Sequence, residues 1–153
     1  MFEMFTDEAR KIMALANRAA QQAKANWILP EHVLLGLIKL EEGGGFLALA
    51  RFVRPGAIRD ELARLVQASD DPEKEPDEKG YPGLQTRRVI LDAIEEAREL
   101  NHAWVGTEHI LLGLLRSEET LAAESLVNCG VGLDRLRDIL REGWQGPEGK
   151  PRQ

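Results

Sequence analysis

Two Glu-His pairs, Glu31-His32 and Glu108-His109, are the part of this sequence that could carry chemistry. A carboxylate beside an imidazole suits general acid–base work or metal ligation, and Cys129, the one cysteine, could add a nucleophile. Their spacing argues against all three roles. Neighbouring residues on a helix point ~100° apart, so one pair cannot converge on a single ion as ligands four apart can. The pattern H-E-x-x-H is missing, and one cysteine with three histidines is too few for a zinc cage. The plainer reading puts each glutamate in the first turn of a helix, where the dipole favours an anion by ~0.3–1 kcal/mol. Each histidine then hydrogen-bonds locally or lies half buried. No catalytic residue, metal ligand or cofactor is expected.

Nucleotide chemistry fares no better. Gly149-Lys150 is followed by Pro151 where a phosphate-binding loop needs Ser or Thr, and no strand precedes it. Gly43-Gly44-Gly45 has no lysine after it and reads as a flexible turn between helices. Trp27 and Trp104, just before the two pairs, could be exposed anchors but fit better as plugs between helices. Gly36 and Gly113 sit inside helical patterns at ~1 kcal/mol each relative to Ala, so close helix–helix approach is expected there. Cys129 has no neighbouring base and reads as an inert thiol.

The elements that carry these residues are duplicated. Trp27-Ile28-Leu29-Pro30-Glu31-His32-Val33-Leu34-Leu35-Gly36-Leu37 recurs as Trp104-Val105-Gly106-Thr107-Glu108-His109-Ile110-Leu111-Leu112-Gly113-Leu114, an offset of 108 − 31 = 77 residues. The match runs upstream without a gap, Arg10 to Arg87, Ala16 to Ala93 and Ala20 to Ala97, and downstream to Glu41-Glu42 and Glu118-Glu119 before a short insertion or deletion. Repeat one spans 1–68 and repeat two 84–142, within one domain at 1–142. Residues 69–83 hold three prolines, two glycines and mostly charged side chains, the composition of an exposed acidic linker. Residues 143–153 read as a flexible tail, from which Trp144 could dock on the last helix.

Each repeat reads as four helices. The first has Ala9, Ile12, Met13, Ala16, Ala20 and Ala23 at helical spacing after a Thr6 or Asp7 cap, and its partner has Val89, Ile90, Ala93, Ala97 and Leu100. The second helices hold the Glu-His segments, opened by Pro30 and by Thr107. Third helices fall near 46–52 and 121–127, the latter stopped by Gly130, and fourth helices carry Ile58, Leu62, Leu65 and Val66, or Leu133, Leu136, Ile139 and Leu140. No segment alternates with period two over strand length. An all-α, pseudo-twofold bundle of about eight helices is expected.

Composition agrees: 43% hydrophobic and 30% charged residues are ordinary for a globular chain, and 153 residues can bury a core unaided. A net charge of −6 argues against nucleic-acid binding, which rests on cations meeting phosphates. A lone cysteine fits a reducing compartment, no apolar run approaches membrane-spanning length, and the first residues lack signal-peptide character, so a cytoplasmic location is expected.

The segment Val105-Gly106-Thr107-Glu108-His109-Ile110-Leu111-Leu112-Gly113-Leu114-Leu115 resembles the signature of the Clp amino-terminal (Clp repeat) domain carried by ClpC, ClpA and ClpB unfoldases. The opening Met1-Phe2-Glu3-Met4-Phe5-Thr6-Asp7-Glu8-Ala9-Arg10 is similar to the start of a ClpC-type protein. The likeness covers about 1–142 and lacks the ATPase modules. It implies a non-enzymatic module, a monomer in isolation, that docks adaptor proteins or protein substrates to Clp ATPase and protease components. In ClpC-type domains each repeat can bind phosphoarginine, with the signature glutamate on the guanidinium and threonines and helix N-termini on the phosphate. Carried over, the glutamates are Glu31 and Glu108, Thr6 matches the threonine at the start of repeat one, and Thr107 is the signature threonine of repeat two.

Two departures stand out. Pro30 replaces the signature threonine in repeat one, and Gly83 lacks the hydroxyl the family has before the second repeat's first helix, so each site reads as half complete. Two other readings stay open: a small metal-dependent or cysteine hydrolase using Glu108, His109 and Cys129, and a regulatory subunit that has lost ligand binding.

Overall fold

In a computed structural model, residues 3–68 and 81–142 are described. Eight helices follow in order: α1 (Asp7–Gln22), α2 (Pro30–Leu40), α3 (Gly44–Ala50), α4 (Pro55–Ala68), α5 (Leu84–Glu99), α6 (Thr107–Arg116), α7 (Leu121–Asn128) and α8 (Leu133–Arg141). The all-α, two-times-four architecture expected from the repeat is what the chain adopts. Expectations about the tail, Trp144 and most of the linker lie outside the described residues.

Each repeat is organised by the close packing of its first two helices, α1 on α2 and α5 on α6. The intrahelical glycines explain how close. A Cβ on Gly36 would lie 2.7 Å from the Ile12 carbonyl oxygen, and one on Gly113 would collide with the Val89 carbonyl oxygen. Both obstacles are backbone and cannot swing away, so glycine is required at each position. One continuous core, including Ile12, Leu34, Leu37, Leu111, Leu114 and Leu126, runs through both repeats. Trp27 is buried and Trp104 half-buried, so Trp27 fills a gap rather than offering an anchor.

The caps follow local chemistry. The Thr6 hydroxyl accepts the Ala9 N–H at 3.1 Å and opens α1; the Thr120 hydroxyl does the same for Ala123 at α7. Gly130, at φ 91°, terminates α7 in the left-handed region that glycine favours. Lys24 (φ 57°) and Asn101 (φ 59°), 77 residues apart, end α1 and α5 with the same left-handed step.

Two expectations are corrected. Gly44 and Gly45 do not form a flexible turn; they are the buried first turn of α3. Only Gly43, at φ 93°, uses glycine's freedom there. The linker, expected to run to residue 83, ends earlier: Tyr81–Pro82 pairs in parallel with Trp27–Ile28, and Gly83 caps α5. A two-residue pairing is too short for any side-chain periodicity to announce it.

Candidate functional site

The repeats do not complete themselves; each lends the start of its first helix to the other. The Thr6 N–H donates to the Val105 carbonyl at 3.0 Å, and the Gly83 N–H donates to the Ile28 carbonyl at 3.1 Å. These are equivalent bonds, since 83 − 6 and 105 − 28 are both 77. A parallel bridge between Phe5 and Val105 mirrors the Ile28–Pro82 register. Thr6 is thereby joined to the strand leading into Thr107 and Glu108, whereas Glu31 shares its end of the molecule with Gly83.

This crossing changes which residues belong together. Pro30 and Gly83 fall at the same end, with Glu31, so both departures from the family pattern concentrate there. The other end keeps Thr6, Thr107 and Glu108. Measured against the family pattern, the Glu31 end is the depleted one, carrying both departures, and the Glu108 end carries neither.

Glu108 stands in the first turn of α6 with 13% of its side chain exposed. Glu31 occupies the matching turn of α2, half-buried, and burial raises its carboxyl above the usual carboxylate range. Thr107 lies deeper than a ligand-facing residue would. It is wholly buried, and its hydroxyl accepts the Gly45 N–H at 2.7 Å, fastening α3 of repeat one to α6 of repeat two. At the depleted end the Thr86 hydroxyl donates to the Ile28 carbonyl at 2.6 Å. Sequence reasoning missed both contacts: the residue matching Thr86 in repeat one is Ala9, so the duplication gave no hint.

The histidines are structural acceptors. The Leu29 N–H donates to His32 Nδ1 at 2.9 Å, and the Gly106 N–H donates to His109 Nδ1 at 2.8 Å. Each ring thus satisfies the orphan N–H of the residue that caps its own helix, which is half of a capping box with imidazole in place of glutamate. With Nδ1 accepting, the neutral ring carries its proton on Nε2, and His109 Nε2 donates to His102 Nδ1 at 2.7 Å. Burial holds His32 at about 4 and His109 at about 3, the latter helped by the neighbouring His102. The 3.3 Å approach of His109 Nδ1 to Glu108 Oε1 is therefore not an ion pair. Each histidine thus fixes the first turn in which its neighbouring glutamate stands.

Hydrolase chemistry finds no support in this arrangement. Both His109 nitrogens are engaged, and neither partner is Cys129, whose thiol instead lies 3.9 Å from the Ala57 carbonyl. Burial, then the Glu61 carboxylate, push that thiol up, away from the reactive thiolate. Among the described residues no group of three or more His, Cys, Asp or Glu could hold a metal ion, and no helix is long and apolar enough to cross a membrane.

Comparison with known proteins agrees with the fold and the duplication. The model of the Clp repeat (R) N-terminal domain matches the chain twice, over residues 4–91 and 83–145. The chain is 38% identical over 138 residues to the chaperone protein ClpB of Oceanobacillus iheyensis, covering 90% of this chain and 17% of that protein. It is 38% identical over 137 residues to the negative regulator of genetic competence ClpC/MecB of Bacillus subtilis, covering 90% and 16%. The chain thus spans about a sixth of these relatives. Among solved structures, the N-terminal domain of Hsp104 from Candida albicans superposes with a TM-score of 0.72 at 25% identity, over 96% of this chain and 97% of that one. The N-terminal domain of ClpD from Arabidopsis thaliana gives 0.72 at 23% identity, over 90% and 92%, and shares the fold. With both repeats matched and the crossed pairing of their helix starts in place, this chain belongs to the Clp repeat (R) N-terminal domain family.

Proposed function

We propose that this chain is a non-enzymatic docking module of a cytoplasmic Clp unfoldase–protease system, receiving adaptor proteins or protein substrates. Family membership supports that reading. For the finer reading, recognition of phosphoarginine, the supporting observation is the crossed pairing that joins the N-terminus of α1, capped by Thr6, to the turn bearing Glu108. A carboxylate accepts charge-assisted hydrogen bonds from guanidinium, and a helix N-terminus attracts phosphate. The two groups of one modified side chain are thus met from two elements at one end. Thr107 acts there as a positioning residue, since its hydroxyl holds Gly45.

The Glu31 end is the weaker of the two. It lacks a hydroxyl at Gly83 and a donor at Pro30, and burial raises its glutamate carboxyl above the usual carboxylate range, which disfavours the charged form. Arg87 and Arg88 near the start of α5 offset part of that loss by attracting anions. Titrating the isotopically labelled chain with free phosphoarginine, followed by NMR, separates the versions. Saturable shifts at Thr6–Glu8 and Glu108, preceding those at Glu31, are expected; no saturable shift at millimolar ligand would end the phosphoarginine reading. The docking reading is tested by affinity capture, where recovery of a Clp ATPase or its adaptors is expected and consistent failure counts against it.

A further inference from the structure

The duplication supplies an internal template for a second site. In repeat two, Glu96 is 1% exposed and clamped between two arginines. Arg137 donates to it from Nε at 2.8 Å and from Nη2 at 2.7 Å, and Arg116 donates from Nη1 at 3.0 Å. The cluster ties α5, α6 and α8 together.

Repeat one has the cations without the carboxylate. Subtracting 77 turns Arg116 into Lys39 and Glu96 into Ala19; the later one-residue shift, 137 − 78, turns Arg137 into Arg59. The shift is the right one, because it also matches the buried Leu136 and Leu140 to the buried Ile58 and Leu62. Where Glu96 sits in repeat two, repeat one has an open groove of about 440 Å³ lined by Ala19, Lys39, Arg59 and Arg18, with Leu15 and Leu35 as its apolar part. The side chains of Arg18, Lys39 and Arg59 make no hydrogen bond or ion pair among the described residues; Glu41 is the one acid lining the groove.

We infer that this groove between α1, α2 and α4 is a docking site for a glutamate side chain of an acidic, partly apolar segment of a partner protein, which takes the place Glu96 holds in repeat two. The charge complementarity is that of the Glu96 cluster, and the leucines accept an apolar neighbour of the glutamate. The three cations are exposed, so binding is weak and salt-sensitive, with each cation contributing about a threefold change in affinity. The inference rests on the docking reading above and not on phosphoarginine recognition, which is proposed where the start of α1 meets the Glu108 turn of α6.

The test is an NMR titration at low salt with a capped pentapeptide in which two glutamates flank a leucine, and its glutamine analogue as control. Saturable shifts at Ala19, Lys39 and Arg59 with the glutamate peptide alone are expected. Ala19→Glu, which fills the groove from within, should abolish them, and Arg59→Gln should weaken binding about threefold. Equal shifts from the glutamine peptide, no shifts at these amides, or undiminished binding to a folded Ala19→Glu chain would each overturn the site. Should Ala19→Glu fail to fold, unchanged affinity in Arg59→Gln overturns it as well.

Discussion

The Thr107 hydroxyl accepts the Gly45 backbone N–H at 2.7 Å, a buried bond between residues 62 positions apart that closes the seam between the repeats. A Cβ on Gly45 would lie 2.5 Å from the Thr107 carbonyl oxygen, so the two backbones are already in contact. Thr107→Val removes the acceptor and leaves a buried N–H unsatisfied, which costs ~1–3 kcal/mol. Thr107→Ser keeps the acceptor and should recover most of it. Urea denaturation of the two variants checks this; a Thr107→Ser chain no more stable than Thr107→Val would show that the hydroxyl bond to Gly45 does not hold the seam.

How far the sequence could be read depended on range. The duplication, the Thr6 cap and the Gly130 stop are local patterns, and each was legible. Gly36 and Gly113 declared their tight packing because an intrahelical glycine is otherwise unfavourable. The crossed pairing was not legible, because the bonds from Thr6 to Val105 and from Gly83 to Ile28 are backbone contacts between distant segments and leave no side-chain signature. The Glu-His pair was visible as a pair, yet its purpose depended on which atom each imidazole meets.

That purpose predicts a pH response. In the unfolded chain His32 and His109 return to ~6.5, whereas folded they lie at about 4 and about 3. As pH falls the unfolded chain takes up protons first. The stabilising contribution is therefore complete above pH ~6.5 and is lost towards about 4 for His32 and about 3 for His109, at up to ~1.4 kcal/mol per pH unit for each ring. Glu31, raised by burial, acts in the opposite sense: it adds stability as pH falls through its raised folded value, above the ordinary carboxylate range, and so offsets part of this loss. Urea midpoints should fall between pH 7 and 5. His109→Asn, whose side-chain oxygen can replace Nδ1 as acceptor, should reduce the slope.

The concentration of both departures at the Glu31 end predicts unequal binding. Glu108→Ala should weaken phosphoarginine affinity by ~1.5–3 kcal/mol, the range for hydrogen bonds to charged groups. Glu31→Ala should change the tighter binding step little. Calorimetric titration of both variants decides it, and equal losses would mean that Pro30 and Gly83 do not weaken the Glu31 end.

The buried Glu96 cluster and its vacant counterpart predict opposite responses to exchanging one residue. Burial alone would push the Glu96 carboxyl up, but the Arg137 and Arg116 guanidiniums outweigh it and the net shift is downward. Its contribution is thus present above the ordinary carboxylate range and lost as pH falls below ~4.5. Glu96→Ala leaves two arginines, 25% and 23% exposed, facing each other without the carboxylate. Removing one partner of a fully buried pair costs ~3–5 kcal/mol, and the arginines' partial exposure lowers that to about 2–3. Ala19→Glu makes the reverse exchange in repeat one, where Lys39 and Arg59 are exposed, so its gain is limited to ~0–1 kcal/mol. Thermal denaturation of both variants at pH 7 and at pH 4 tests the pair. A Glu96→Ala loss that stays the same at both pH values would show that packing, not charge, holds α5, α6 and α8 together.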